Sequence, residues 1–203
     1  MARGRKSQYI NKLTSKDQAF LKSLRCVGYL NQNHIKNHVG LTDKRVQNFE
    51  RDGYVERCAY LNRQTKEMEH VWRLTDKGKE LASTQMNLSN FYRSSSARHD
   101  LALADKYFSL PQADREHWLT EGDLRDMLKE RIEKLQDQGE LARADQLREM
   151  LQDRTISVPD GACVKGEQIF AYEIVTNSYG EAELQAKQEY VQEMGIAYET
   201  IKI

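Results

Sequence analysis

Two acidic side chains, Asp160 and Glu173, stand at positions from which they can do chemistry together. Asp160 precedes a short apolar run, and Glu173 lies thirteen positions later, inside the next apolar run at residues 169–175. If the two runs pair as strands, both carboxylates reach one edge of a sheet. Carboxylate oxygens are suited to Mg²⁺ and Mn²⁺, and such an ion activates water and stabilises charge on a phosphate. The pair therefore predicts metal-dependent phosphate chemistry.

The arrangement resembles the PD-(D/E)xK nuclease motif, with Pro159-Asp160 as its first part and Glu173 as its second. Val175 stands where that motif usually has Lys, and Val can donate neither a proton nor charge. Lys187 is the predicted substitute, because it belongs to a helical stripe that we expect to face the sheet: Leu184, Lys187, Gln188 and Val191.

The sequence leaves two environments open for the Lys187 side chain. A lysine on a buried stripe needs a partner, which Glu173 or a bound phosphate can supply. Alternatively, its ammonium group extends along the surface into solvent. Glu121, at the end of a predicted strand over 117–122, is a possible third carboxylate of the site.

The elements that would hold these residues follow one another in a recognisable order. The pattern predicts a helix, a strand, a charged helical hairpin broken at Gly139, two strands, a helix and a final strand, over residues 98–108, 117–122, 123–153, 162–164, 168–176, 181–194 and 197–203. Together with the acidic motif, this αβββαβ order predicts a restriction-endonuclease-like domain with a helical insert over residues 91–203.

The first half of the chain predicts a winged helix-turn-helix over residues 15–90. Three helices at 15–26, 32–39 and 43–52 precede a hairpin with strands at 54–61 and 70–74, and Thr75 is placed to cap a further helix. Ser15 is the predicted cap of the first helix, and residues 1–14 form a basic arm in this interpretation. The fold class is therefore α+β, with two domains.

The charge distribution favours nucleic acid as the partner of the first half. Residues 1–99 hold 19 Lys and Arg against 9 Asp and Glu, whereas residues 100–203 hold 12 against 22. In the third helix, Arg45, Gln47 and Asn48 are suited to base edges. Phosphate contacts are predicted for six further basic residues, namely Arg3, Arg5, Lys44, Arg51, Arg63 and Lys66. A winged helix that contacts protein, and an unstructured arm, remain the alternatives.

Composition excludes several other classes. No apolar run approaches the roughly 20 residues of a membrane helix, and the basic start leads into no signal-peptide core, so we expect a cytoplasmic protein without membrane contact. The three cysteines, Cys26, Cys58 and Cys163, form no CxxC pair and predict neither a disulfide framework nor a metal site built on thiolates.

Taken together, the chain resembles the MOBC-type relaxases of conjugative plasmids and integrative elements, and also plasmid replication-relaxation proteins. The likeness rests on four segments, which are Leu74-Thr75-Asp76-Lys77-Gly78, Arg98-His99-Asp100, Pro159-Asp160-Gly161 and the stretch from Glu173 to Tyr179. It implies recognition of double-stranded DNA at an origin of transfer, a strand-specific nick during plasmid mobilisation, and an accessory relaxosome protein or a coupling protein as a further partner.

The resemblance also implies roles for individual residues. Asp160, Glu173 and the main-chain carbonyl of Ile174 would hold Mg²⁺ or Mn²⁺, with Lys187 assisting hydrolysis. Two alternatives remain. The second domain is a degenerate nuclease fold that binds a transfer or replication partner, or the protein is a winged-helix transcription regulator with an unrelated sensor domain.

Overall fold

The chain divides into two compact units, Met1–Asp105 and Lys106–Ile203. The structure, a computed structural model, describes residues 9–62, 65–93 and 96–203. It has a mixed α+β architecture with two separate sheets. The sequence placed the domain boundary after residue 90, whereas the units divide inside a helix that begins at Ala97. No helix among the described residues combines the length and apolar character needed to cross a membrane.

The first unit is built from helices and a three-stranded antiparallel sheet. Its elements are α1 (Ser15–Val27), β1 (Leu30–Asn31), a short π-helical segment (His34–Val39), α2 (Asp43–Arg51), β2 (Val55–Leu61), β3 (Met68–Leu74), α3 (Asp76–Met86) and most of α4 (Ala97–Ser109). The strand order is β1-β3-β2. The sequence predicted each of these elements except the two-residue β1, which has too few residues for a periodic pattern.

Three threonine caps set where the helices of this unit begin. Thr14, rather than the predicted Ser15, caps α1 in a capping box with Asp17, and Thr42 caps α2. Thr75 caps α3 as expected, because its hydroxyl accepts from the amide of Gly78. Gly78 also permits a close approach, since an added Cβ there would lie 1.9 Å from the carbonyl oxygen of Tyr54.

The described start of the chain packs against this unit rather than extending from it. The amides of Tyr9 and Ile10 both donate to the carboxylate of Asp52, and the Ile10 side chain is buried. The predicted basic arm over residues 1–14 is therefore attached to the unit from residue 9 onward.

The second unit contains a four-stranded sheet and four helices besides the end of α4. These elements are α5 (Gln112–Glu116), β4 (Trp118–Thr120), α6 (Glu121–Asp137), α7 (Leu141–Gln152), β5 (Gly161–Lys165), β6 (Gln168–Val175), α8 (Glu181–Met194) and β7 (Ala197–Lys202). The strand order is β4-β5-β6-β7, with β7 parallel to β6 and the other pairs antiparallel. The short helix α5 was not predicted, and the predicted first strand ends before Glu121.

The two faces of this sheet are covered differently. On one face Ala162 and Ala171 pack with apolar residues of α6, α7 and α8, among them Leu128, Leu147 and Tyr190. On the other, the indole of Trp118 stacks on Tyr172 at 5.8 Å between ring centroids. Gly161 makes this stacking possible, because a Cβ there would lie 2.4 Å from the indole ring. The β5–β6 hairpin is thus fixed from both sides.

Candidate active site and nucleic-acid interface

Reciprocal hydrogen bonds hold Asp160 and Glu173 together in the second unit. Asp160 immediately precedes β5 and Glu173 lies on β6, and the hairpin register pairs Gly161 with Tyr172. The Asp160 amide donates to Glu173 Oε2 at 3.0 Å, and the Ile174 amide donates to Asp160 Oδ2 at 2.8 Å. Each carboxylate is therefore bound by main chain of the other's strand, which sets both side chains in fixed positions.

Lys187 joins this pair from α8. Its Nζ lies 3.1 Å from Glu173 Oε1 and donates to the carbonyl oxygen of Val158 at 2.6 Å. Only 13% of the side chain is exposed, so Lys187 contacts the site instead of extending into solvent. The predicted stripe is wrong in one respect, because Gln188 is exposed and the buried residues of α8 are Ala186 and Tyr190.

Tyr179 completes the contacts of Glu173 and was not singled out from the sequence. It lies in the loop between β6 and α8, and its hydroxyl donates to Glu173 Oε1 at 2.8 Å. The only sequence signal was its place six residues after Glu173. Three donors thus bind the Glu173 carboxylate, namely the Asp160 amide, the Tyr179 hydroxyl and the Lys187 ammonium group.

The electrostatics of the pair are dominated by burial. Glu173 is 0% exposed and Asp160 is 8% exposed. Burial, together with the negative charge of Asp160, raises the pKa of Glu173 from 4.5 to about 7, against the opposing influence of Lys187 and Tyr179. Glu173 is consequently present in both protonation states near neutral pH. Burial and the Glu173 charge raise the pKa of Tyr179, which keeps its hydroxyl protonated as a donor.

The donor set fits a hard divalent cation. It consists of two carboxylates and the main chain at Ile174, and no group of three or more His, Cys, Asp or Glu side chains comes together here or anywhere else in the described ranges. Burial and the negative charge of Asp160 both raise the pKa of Glu173, and a bound cation would relieve the repulsion between the two carboxylates. Ile174 is held beside Asp160 by its amide, and its carbonyl is the ligand that the sequence predicted. The cation would compete with a proton and with Lys187 for Glu173.

Glu121 does not belong to this network. It is the first residue of α6 instead of a strand residue, and its carboxylate is bound by Arg125 one turn later in the same helix. The helix begins here because Thr120 forms a capping box with Asp123. The predicted third carboxylate is therefore committed to a helix-surface ion pair.

His99 and Asp100, part of the segment that carries the resemblance, lie in the first unit. Both are buried, and His99 Nδ1 is 3.2 Å from Asp100 Oδ1 and 3.4 Å from the hydroxyl of Tyr92. An added Cβ at Gly28 would lie 2.4 Å from Asp100 Oδ2, so this cluster packs closely against the end of α1. It forms a group distinct from Asp160 and Glu173, which belong to the second unit.

Among the predicted nucleic-acid contacts on α2, some side chains are exposed, whereas that of Arg45 is bound within the protein. Lys44, Gln47 and Arg51 are exposed and Asn48 is half-buried. Arg45, predicted to read base edges, instead donates from Nε and Nη2 to the fully buried carboxylate of Asp17 at 2.9 and 2.7 Å. The prediction for Arg45 is corrected, because its guanidinium group neutralises a buried charge.

The remaining predicted contacts lie outside α2. Lys66 is exposed in the connection between β2 and β3, in a left-handed backbone conformation with φ of 62°. Within α2, the guanidinium group of Arg51 lies over the ring of Tyr9, 5.4 Å from its centroid. Arg3, Arg5 and Arg63 lie outside the described residues.

The two units thus carry separate sets of candidate residues: basic and polar side chains on α2 and the β2–β3 connection of the first, and a buried carboxylate–lysine network in the second. Comparison of this chain with protein-family models, with curated protein sequences and with solved structures gives no match.

Proposed function

We propose that this protein binds double-stranded DNA through its first unit, as a winged helix-turn-helix, and nicks one strand with its second, as a divergent PD-(D/E)xK nuclease. An origin of transfer is the proposed DNA, in the manner of MOBC-type relaxases. The observation that carries the proposal is the convergence of Asp160, Glu173 and Lys187 in one hydrogen-bonded network. A buried carboxyl group with a raised pKa, such as that of Glu173, is typical of catalytic sites.

DNA binding is supported by the arrangement of the first unit. The order of elements supports a winged helix, since α1, the π-helical segment and α2 are followed by the β2–β3 hairpin and α3. Its exposed helix α2 presents Lys44, Gln47 and Arg51 on one surface. In such an arrangement Gln47 and Asn48 would contact base edges, while Lys44, Arg51 and Lys66 would neutralise phosphates.

The residues of the second unit have distinct proposed roles. Asp160, Glu173 and the Ile174 carbonyl would hold Mg²⁺ or Mn²⁺, which when bound supplies an activated water and stabilises negative charge on the phosphate. Lys187 supplies a positive charge that neutralises the developing charge of the same phosphate. Tyr179 fixes the orientation of the Glu173 carboxylate. Burial lowers the local dielectric constant and strengthens each of these interactions.

Cleavage of supercoiled plasmid tests the catalytic part of the proposal. With Mg²⁺ or Mn²⁺, the protein should convert a plasmid carrying a transfer origin to the open circle, and chelator should prevent this. Asp160→Ala should abolish nicking while leaving DNA affinity unchanged. Glu121→Ala is the matched control, because it removes a carboxylate outside the network. Nicking that persists in Asp160→Ala would refute the assigned site.

Salt-dependent binding tests the DNA-contact part. Lys44→Ala and Arg51→Ala should each weaken binding for all sequences and reduce the slope of log affinity against log salt by about 1. Gln47→Ala should instead relax discrimination between related sites. Arg45→Ala is expected to destabilise the first unit by about 3 kcal/mol, because it leaves the buried Asp17 unpaired. Circular dichroism distinguishes that loss of folding from a lost contact.

A second candidate function is a DNA-binding protein whose second unit has no catalytic role and instead docks a relaxosome or replication partner. The observation that favours it is the complete burial of Glu173 together with its three protein donors, since such a carboxylate is satisfied without a ligand. Salt-sensitive DNA binding without any metal-dependent relaxation of plasmid would support this candidate over the nickase.

A further inference from the structure

The hydroxyl of Tyr198 is buried and has no hydrogen-bond partner within the described part of the chain. A buried hydroxyl without a partner loses its hydration and gains nothing in return. Such groups are rare in folded proteins and call for an explanation, of which a bound ligand is one.

Strand register places Tyr198 on the same face of the sheet as Glu173. Tyr198 lies on β7 opposite Ala171 of the parallel strand β6, and Thr200 lies opposite Glu173. Residues two apart in a strand share a face. The Tyr198 ring accordingly packs against the cluster that contains Ala171 and Tyr190, which is the side of the sheet covered by the helix that carries Lys187.

The charges of the site act on this hydroxyl. Burial raises the pKa of Tyr198, and the negative charges of Glu173 and then Asp160 raise it further. The phenol therefore stays protonated at neutral pH, and its role toward a ligand is that of a donor. A buried, protonated phenol on the face of the sheet that carries Glu173 is suited to an anionic oxygen.

We propose that the Tyr198 hydroxyl donates a hydrogen bond to a non-bridging oxygen of the scissile phosphodiester at the Asp160–Glu173 site. This inference rests on the proposed nuclease function and assigns it a further catalytic residue. The hydrogen bond forms only with substrate, so it stabilises the charge that develops on the phosphate during cleavage. Tyr198 and Lys187 together would bind two oxygens of one phosphate.

Tyr198→Phe removes the donor and keeps the ring. We expect its rate of plasmid nicking to fall by about 10- to 100-fold, the range for removal of one hydrogen bond to a charged oxygen. DNA affinity should stay unchanged, because binding comes from the first unit. Without metal or DNA, the urea midpoint of the variant should equal or exceed that of the wild type, since the lost hydroxyl had no partner.

Tyr190→Phe is the matched control. Its hydroxyl is also buried in the second unit, but it donates to the carbonyl oxygen of Leu124 at 2.8 Å. We expect this variant to show a lower urea midpoint, because the buried hydrogen bond to Leu124 is lost, while the nicking rate per folded molecule stays at the wild-type level.

The outcomes separate this inference from the function on which it rests. Wild-type protein that fails to nick with either metal overturns both. Wild-type nicking matched by Tyr198→Phe overturns the inference alone. A urea midpoint that falls in Tyr198→Phe as far as in Tyr190→Phe also overturns it, because the hydroxyl then has a partner in the protein.

Discussion

Glu173 offers the sharpest physical test of the site, because its burial makes the stability of the second unit depend on pH. The perturbation is Glu173→Gln, which keeps the size and planar shape of the side chain and removes its titration. In the folded protein the pKa of Glu173 is raised from 4.5 to about 7. The folded state therefore holds a proton that the unfolded chain has released between these two values.

The sign and size of the effect follow from that difference. The stabilisation is fully present below pH 4.5 and is lost as pH rises through about 7. Within the window each pH step of one lowers the free energy of unfolding by about 1.4 kcal/mol, which amounts to about 3 kcal/mol over the whole range. In Glu173→Gln this contribution is absent, so the free energy of unfolding of the wild type should fall by about 3 kcal/mol relative to that of the variant over the same window.

Urea unfolding followed by tryptophan fluorescence measures this difference. The chain has two tryptophans, Trp72 in the first unit and Trp118 in the second, so a Trp72→Phe background makes the signal report on the second unit. Other titrating groups are common to both proteins and cancel in the comparison. Parallel stability curves for the wild type and Glu173→Gln between pH 4.5 and 7 would refute the reasoning, because Glu173 would then titrate alike in both states.

Two further predictions concern the supports of the site. Lys187→Met removes the cation beside Glu173 and should raise the pKa of that carboxyl above about 7, which moves the loss of stability to higher pH in the same urea titration. Gly161→Ala should cost about 1–3 kcal/mol, because the new Cβ overlaps the indole of Trp118, and the emission of Trp118 should change. Gly180→Ala is the control, since a Cβ there meets no atom closer than 4.0 Å; an equal effect of both alanines would contradict the packing argument.

Much of the fold follows from local patterns in the sequence. Alternating and helical periodicities gave all but two short elements, because each long element buries an apolar face of its own. The misses were β1, which has two residues, and α5, which has five. Thr14 was overlooked as the cap of α1 because the neighbouring Ser15 is an equally good capping residue by type.

Residue types and spacing were enough to predict the carboxylate pair and Lys187. They did not predict the hydrogen-bond partners or the burial of each side chain. Tyr179 reaches Glu173 from a loop and Tyr198 lies on a parallel strand, so no local pattern encodes the placement of either residue. Arg45 was misassigned because an arginine on an exposed helix usually points to solvent, whereas here a buried Asp17 lies beneath it. Tertiary packing, which local sequence patterns do not show, determines which side chain a buried group binds.

The β5–β6 hairpin has a consequence for the order in which the second unit folds. A tight turn at Gly166 joins the two strands, and their pairing alone sets the Asp160 and Glu173 bonds. Strand β4 can pair with β5 only after the chain between them, which contains α6 and α7, brings the two strands together. Local hairpins form in about 1–10 μs, far ahead of long-loop pairings. The acidic pair is thus assembled early, and pulse-labelled hydrogen exchange should find the Ile174 amide protected before the amides of β4.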